Sequence, residues 1–324
     1  MKKKKVYLSM LATFVLVSGL FIALFLIRVN PVALTARTLS NNAPPVFNNM
    51  IYGGFGEDAL NKPMDVAEIN QFIYITDTNN KRVQVFDIAG TPIFKFGKEG
   101  EGPGEFKFPY GIDGDSQGNV YVSDLYNGSI SIFDSKGKFI KYFAEKDPKE
   151  TTIEAPGSFR INNNKVYVTD IKKSKLLIFD MDGKKVAEIG EPGMKQGQFR
   201  APNAVAIDKD ENIYVVDTGN QRVQQFDNTG KFVRIINGST DGSGENSLFV
   251  NPRGIGIDSR GILYVVSNLT HYVYGFDKDG KKLFTFGGNG EANTQFSLPN
   301  GLFIDKDDNI YITDSSNQRV AVYK

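Results

Sequence analysis

Residues 202–236 read PNAVAIDKDENIYVVDTGNQRVQQFDNTGKFVRII, a stretch in which four short apolar alternations are separated by turn residues. AVAID, IYVVD, RVQQFD and FVRII each change sides at period two, the pattern of a half-buried strand. Elsewhere the same layout carries the turns DSQGN, DKDGK and SKGK, which are hairpin signals. The stretch recurs along the chain. Pro63, Pro109, Pro156, Pro202, Pro252 and Pro299 are spaced by 46, 47, 46, 50 and 47 residues, and Tyr74, Tyr121, Tyr167, Tyr214, Tyr264 and Tyr311 keep nearly the same interval. Four strands per unit, with no helical pattern among the units, predict the blades of an all-β, six-bladed β-propeller. A single blade cannot bury both of its faces, so the blades must stack around an axis.

The ends of the repeat predict how the ring closes. The sixth unit stops at Lys324 after its third strand, while Tyr52-Gly53-Gly54 before the first proline matches Phe286-Gly287-Gly288. A segment near Asn48 to Phe55 is therefore expected to pair with Arg319 to Tyr323 and supply the missing strand, removing two exposed edges. The propeller is expected to span residues 47–324.

Residues 6–27 (VYLSMLATFVLVSGLFIALFLI) are free of charge. As a helix they would measure about 33 Å, enough to span a bilayer core. Lys2 to Lys5 precede them, so the positive-inside rule predicts a cytoplasmic tip at 1–5, a single-pass transmembrane anchor at 6–27 and an extracytoplasmic propeller. Cleavage to a secreted form is the alternative, although no convincing small-x-small site follows the run. Residues 28–46 contain Asn-Asn and Pro-Pro without periodicity and read as a stem. The first 28 residues hold five basic and no acidic side chains, which leaves 33 basic against 37 acidic for the exported part. That balance argues against a nucleic-acid partner.

The repeat resembles the NHL repeat. The matching residues are clearest in units one, four and six: Asp77-Thr-Asn-Asn80-Lys-Arg82-Val, Asp217-Thr-Gly-Asn220-Gln-Arg222-Val and Asp314-Ser-Ser-Asn317-Gln-Arg319-Val. Gly-rich links such as residues 96–106, FGKEGEGPGEF, add to the likeness. Units two, three and five depart from it, with Asn127-Gly-Ser129, Ser174-Lys175 and Ser267-Asn268 in place of the motif. The resemblance implies a six-bladed propeller, and in that family such propellers serve as RNA binders, protein-interaction modules, sensor domains of bacterial membrane kinases and a zinc-dependent lyase. A bacterial source is expected.

Chemistry is sparse. There is one histidine and no cysteine, which excludes disulfides, thiolate sites and multi-histidine metal sites. His271 stands where other units have Gln-Arg or Lys-Arg and is read as a packing residue. Asp77, Asp124, Asp170, Asp217 and Asp314 recur at one strand end, which points to a structural role accepting bonds from turn amides or the following arginine. The pairs Asp208/Asp210, Asp277/Asp279 and Asp305/Asp307 sit in hairpin turns without a calcium-loop pattern. The Gly-rich links lack a Lys-Ser/Thr ending and a following helix, so they read as connectors rather than phosphate loops.

The innermost strands offer positions that blade packing does not dictate. One residue after each proline the ring reads Met64, Tyr110, Gly157, Asn203, Arg253 and Asn300, and three residues later Ala67, Asp113, Arg160, Ala206, Gly256 and Phe303. Tyr110, Asp113, Arg160, Asn203, Arg253 and Asn300 are the candidate ligand-binding residues at a channel mouth, and Asp113 and Arg160 are expected to pair. Residues 236–251, the longest link, are expected to form a mobile lid or contact loop. Two functions follow as expectations. One is a membrane-anchored binding, scaffold or sensor module for an envelope or membrane protein, a peptide or a glycan, with no cofactor. The other is a hydrolase or lyase using channel-mouth carboxylates led by Asp113, with a divalent metal as its cofactor.

Overall fold

Each periodic unit folds into a four-stranded antiparallel sheet. The computed structural model describes residues 43–144 and 153–324. The expected tip and membrane span, and the stem up to residue 42, lie outside the described residues. Among those described, no helix is long and apolar enough to cross a membrane. Blade 4 is built from Pro202–Ile207, Ile213–Asp217, Arg222–Phe226 and Phe232–Asn237, in that order from the axis outward. The corresponding inner strands are Pro63–Ile69, Pro109–Gly114, Pro156–Asn162, Pro252–Ile257 and Pro299–Ile304 for blades 1, 2, 3, 5 and 6.

Blade 6 takes its outer strand from the other end of the propeller. Phe47–Tyr52 runs antiparallel to Arg319–Tyr323, with Phe47 opposite Tyr323 and Tyr52 opposite Arg319. Pairing ends at Tyr52 rather than extending to Phe55. The chain turns there so tightly that a side chain on Gly53 would lie 2.4 Å from the Leu60 nitrogen.

The alternation seen in the sequence buries both faces of each sheet. Every pair of neighbouring blades shares an apolar cluster: Tyr74, Val83 and Val85 of blade 1 meet Ile112, Val122 and Phe133 of blade 2, and Val320 and Val322 of blade 6 meet Ile73 and Phe86 of blade 1. The links plug these seams with fully buried Phe106, Phe199, Phe249 and Phe296. Glycine is required at the start of three links. Gly97, Gly190 and Gly287 have φ of +88°, +88° and +101°, and a Cβ would lie 2.4, 2.2 and 2.7 Å from the rings of Phe106, Phe199 and Phe296.

At four of the six seams a side-chain donor after the second strand stitches one blade to the next at the proline carbonyl, giving that buried acceptor a partner. Thr78 donates to Pro109 at 2.7 Å, Thr218 to Pro252 at 2.8 Å, Asn268 to Pro299 at 2.8 Å, and Ser315 to Pro63 at 2.6 Å. The last of these crosses the seam where the ring closes. The long link is also tied down. Arg222 donates to the carbonyls of Ser239 and Thr240 at 3.4 and 3.1 Å, and the Ser247 hydroxyl donates to Gln221 at 2.6 Å.

Candidate functional site

The six inner strands line the axis, so residues at equal distance from the prolines form layers. In the layer one residue past the proline, Tyr110 crosses the axis. Its hydroxyl donates to Asn203 Oδ1 at 2.9 Å and accepts from Arg253 Nη1 at 3.4 Å. Asn300 Nδ2 donates to the Met64 carbonyl at 2.8 Å. Tyr110, Asn203 and Asn300 are buried, whereas Arg253 is half-buried. Blades 2, 4 and 5 are thus joined through one phenol, and this end of the channel is a polar plug rather than an open ring.

The next layer holds a residue that the sequence reading passed over. Two residues past the proline the positions are Asp65, Gly111, Ser158, Ala204, Gly254 and Gly301. Small side chains there leave room on the axis for the Asp65 carboxylate. Ser158 Oγ donates to Asp65 Oδ2 at 2.8 Å, the Val66 amide donates to Oδ1 at 3.0 Å, and a Cβ on Gly301 would lie 2.6 Å from Oδ1. Burial raises the Asp65 pKa, opposed by Arg160 and by the Ser158 hydrogen bond. A signal was present: an acid stands where three other units have glycine.

In the layer beyond, the expected Asp113–Arg160 pair is not formed. Asp113 Oδ2 accepts from the Ile161 amide at 2.8 Å and Oδ1 from the Gly114 amide at 2.9 Å. The Ile161 amide lies on the free edge of blade 3's inner strand and needs an acceptor, which holds the carboxylate to the wall. Arg160 turns instead toward Asp65, with Nη1 3.6 Å from Oδ2. It also donates to the carbonyls of Phe159 at 2.8 Å and Leu302 at 2.7 Å, and its guanidinium lies 5.7 Å from the centre of the Phe303 ring. Desolvation pushes the Asp113 pKa up to about 6, opposed by the Arg160 charge and reinforced by the Asp65 charge. At this end a depression of about 180 Å³ is walled by Arg160, Ile207, Ile257, Phe303 and Ile304.

The recurring aspartates hold the loop between the second and third strands. Asp217 accepts from the Arg200 amide at 2.7 Å, from Asn220 Nδ2 at 2.9 Å and from Arg222 Nε at 2.8 Å. Asp77 and Asp314 repeat this with Arg82 and Arg319 at 2.7 and 2.8 Å. Asp124 and Asp170 have no arginine and accept mainly backbone amides, from Lys107 at 2.7 Å and Glu154 at 2.8 Å among others. His271, with φ of +62°, occupies the left-handed turn position filled elsewhere by Lys81, Ser174, Gln221 and Gln318. Its Nδ1 accepts from the Leu298 amide at 3.2 Å. Asp208 and Asp305 accept from amides of their own turns, at 2.9 Å from Asp210 and 2.9 Å from Asp307. Among the described residues, no group of three or more His, Cys, Asp or Glu side chains is arranged to hold a metal ion.

Blades, closure and layered axis together define a six-bladed propeller assembled from NHL-type repeats. A family model described as 6-bladed beta-propeller matches residues 57–142 and 141–243, and one described as NHL repeat matches residues 296–323. The chain belongs to the 6-bladed beta-propeller family. A 52-residue stretch is 50% identical to Protein lin-41 of Caenorhabditis elegans, covering 16% of this chain and only 4% of that protein. Among solved structures the fold is similar to virginiamycin B lyase from Staphylococcus aureus, at 14% identity and a TM-score of 0.59, over 85% of this chain and 98% of the other. It is also similar to a gluconolactonase from Xanthomonas campestris, at 15% identity and a TM-score of 0.60, over 87% and 97% of the two chains. At these identities the likeness is one of fold alone.

Proposed function

We propose that the protein is a membrane-tethered, extracytoplasmic binding module whose propeller presents a face to a protein or peptide partner. One observation carries the reading. The polar side chains at the proline end of the axis are engaged with one another, Tyr110 with Asn203 and Arg253, so a ligand meets a surface rather than a deep polar cavity. The charge-free run at 6–27 behind four lysines supports the tether and its orientation. Reporter fusions at Lys324 test the topology: a periplasmic-type reporter is expected to be active, and activity of a cytoplasmic-type reporter overturns it.

A second reading is supported by Asp113, buried with its pKa raised to about 6, the range of a general acid or base. The fold shared with a lyase and a gluconolactonase is compatible with it. Turnover of lactone, ester or amide substrates by the purified chain, lost in Asp113→Asn, would establish that reading. Absence of such turnover, with or without added divalent metal, leaves the binding module.

A further inference from the structure

The proline end of the axis carries cations whose partners are aromatic rings and a phenol rather than carboxylates. In each blade the proline lies opposite the residue ending the second strand, as Pro63 does with Asp77 and Pro109 with Asp124. The residue before the proline and the loop after the second strand therefore share one face. On that face Lys62 Nζ and Lys81 Nζ lie 5.6 and 5.8 Å from the centre of the Phe108 ring. Tyr126, 67% exposed, packs on Phe108 with ring centres 4.8 Å apart. Tyr110 lies 6.2 Å from Phe108 and takes the hydrogen bond from Arg253. A continuous run of contacts thus leads from Arg253 at the channel mouth to the rim of blade 2.

Among the described residues, neither lysine nor Arg253 pairs with a carboxylate. Nearby Lys107 and Lys172 do pair, with Glu101 and with Glu154 at 2.8 Å. Arg253 makes a single hydrogen bond, to Tyr110, so most of its planar fork is free for a carboxylate. Ammonium groups lie over the Phe108 ring, so a flat base or sugar would meet charge there rather than an open ring face. Farther round the same face, blades 5 and 6 expose aliphatic side chains, Leu269 at 53% and Leu298 at 38%. A polyuronate or nucleic acid would engage the cations and leave these leucines uncovered. A polypeptide segment carrying acidic and aliphatic side chains satisfies both halves.

We propose that this face takes an acidic, aliphatic-containing segment of a polypeptide, with carboxylates on Arg253, Lys62 and Lys81 and an apolar side chain on Leu269 or Leu298. The proposal rests on the binding-module reading and adds the face and the chemistry of the partner. The test titrates the detergent-solubilised full chain with a fluorescent peptide of mixed Glu and Leu, and with its Lys–Leu counterpart, a polyuronate and single-stranded RNA. The Glu–Leu peptide is expected to bind, with affinity falling as salt rises. Lys62→Ala, Lys81→Ala and Arg253→Ala combined are expected to weaken binding by about tenfold or more. Leu269→Ser with Leu298→Ser should weaken the peptide and leave polyuronate unchanged. Lys136→Ala with Lys306→Ala, in turns at the opposite end, should change nothing. Each variant's thermal unfolding is measured alongside, and the Arg253→Lys variant serves if the triple variant does not fold. Equal binding of the Lys–Leu peptide, tighter binding of RNA or polyuronate, or loss of binding only in the Lys136/Lys306 variant overturns the proposal. The last outcome would leave the binding-module reading standing, because another face would then hold the peptide.

Discussion

Blades 1, 4 and 6 solve a problem that blades 2, 3 and 5 solve differently. In the first group a buried aspartate at the end of the second strand is met by an arginine from the third: Asp77–Arg82, Asp217–Arg222 and Asp314–Arg319. In blades 2 and 3 the aspartate remains, but loop amides replace the guanidinium. Blade 5 has Ser267, which accepts the Val250 amide at 2.9 Å. The position therefore demands an acceptor for the loop amides, and the arginine is an addition. Where the arginine is present it also ties the preceding link, as Arg319 does with the carbonyls of Glu291 and Ala292 at 2.8 and 2.9 Å.

Blade 6 is the most vulnerable of the motif blades, because its outer strand comes from the far end of the propeller. Deleting residues 47–52 is expected to abolish the single cooperative unfolding transition, seen by calorimetry, because it exposes the Val320 and Tyr323 faces and opens the ring. Next in size is Asp217→Ala, which strands a fully buried Arg222. Denaturant unfolding should show a loss of about 3–5 kcal/mol. Asp124→Ala removes an acceptor without stranding a charge, and the same measurement should give about 1–3 kcal/mol. If the two losses are equal, the arginine adds nothing and the contrast between blades fails.

Asp113 extends the comparison to the axis, since it too is held by amides without an arginine of its own. Its pKa, raised to about 6, means that the folded state holds a proton that the unfolded state releases between the ordinary carboxylate range and pH 6. Stability from this group therefore falls as pH rises through that window, and its own contribution should be about 1 kcal/mol larger near pH 5 than near pH 7. In Asp113→Asn that share of the slope should be lost, leaving the part due to Asp65 and the other buried aspartates, whatever the offset in stability. Of similar size is Ser267→Ala, with an expected loss of about 1 kcal/mol, because a neutral acceptor is replaced at a loop that keeps its Asn268 tie.

The fold was legible because its period is written in prolines, tyrosines and alternating strands, and because the closing strand repeats the Phe-Gly-Gly pattern as Tyr52-Gly53-Gly54. The strand's end was less so: Tyr52 rather than Phe55 is the last paired residue because the turn at Gly53 depends on the approach of Leu60, a contact the local sequence does not announce. On the axis the sequence named Tyr110, Asn203 and Arg253, which the fold brings together, and Asn300, which is spent on Met64. It misdirected Arg160, whose partner Asp65 stands two positions nearer its proline than Arg160 does and on blade 1, which is not adjacent to blade 3. Pairing across an axis depends on which small residues leave space, and Gly111, Gly254 and Gly301 do so only once the ring is closed.

That closure also sets an order of events. Phe47 reaches its partner Tyr323 only when the last strand of the propeller has been made, so during synthesis the first five blades can stack as they emerge while the sixth waits for its final strand. Until then Phe47–Tyr52 is an unpaired edge, and the seam between blades 6 and 1 lacks the hydroxyl of Ser315 on Pro63. The propeller's last residues are thus its latch, and a nascent chain that has not yet reached Tyr323 holds an open ring.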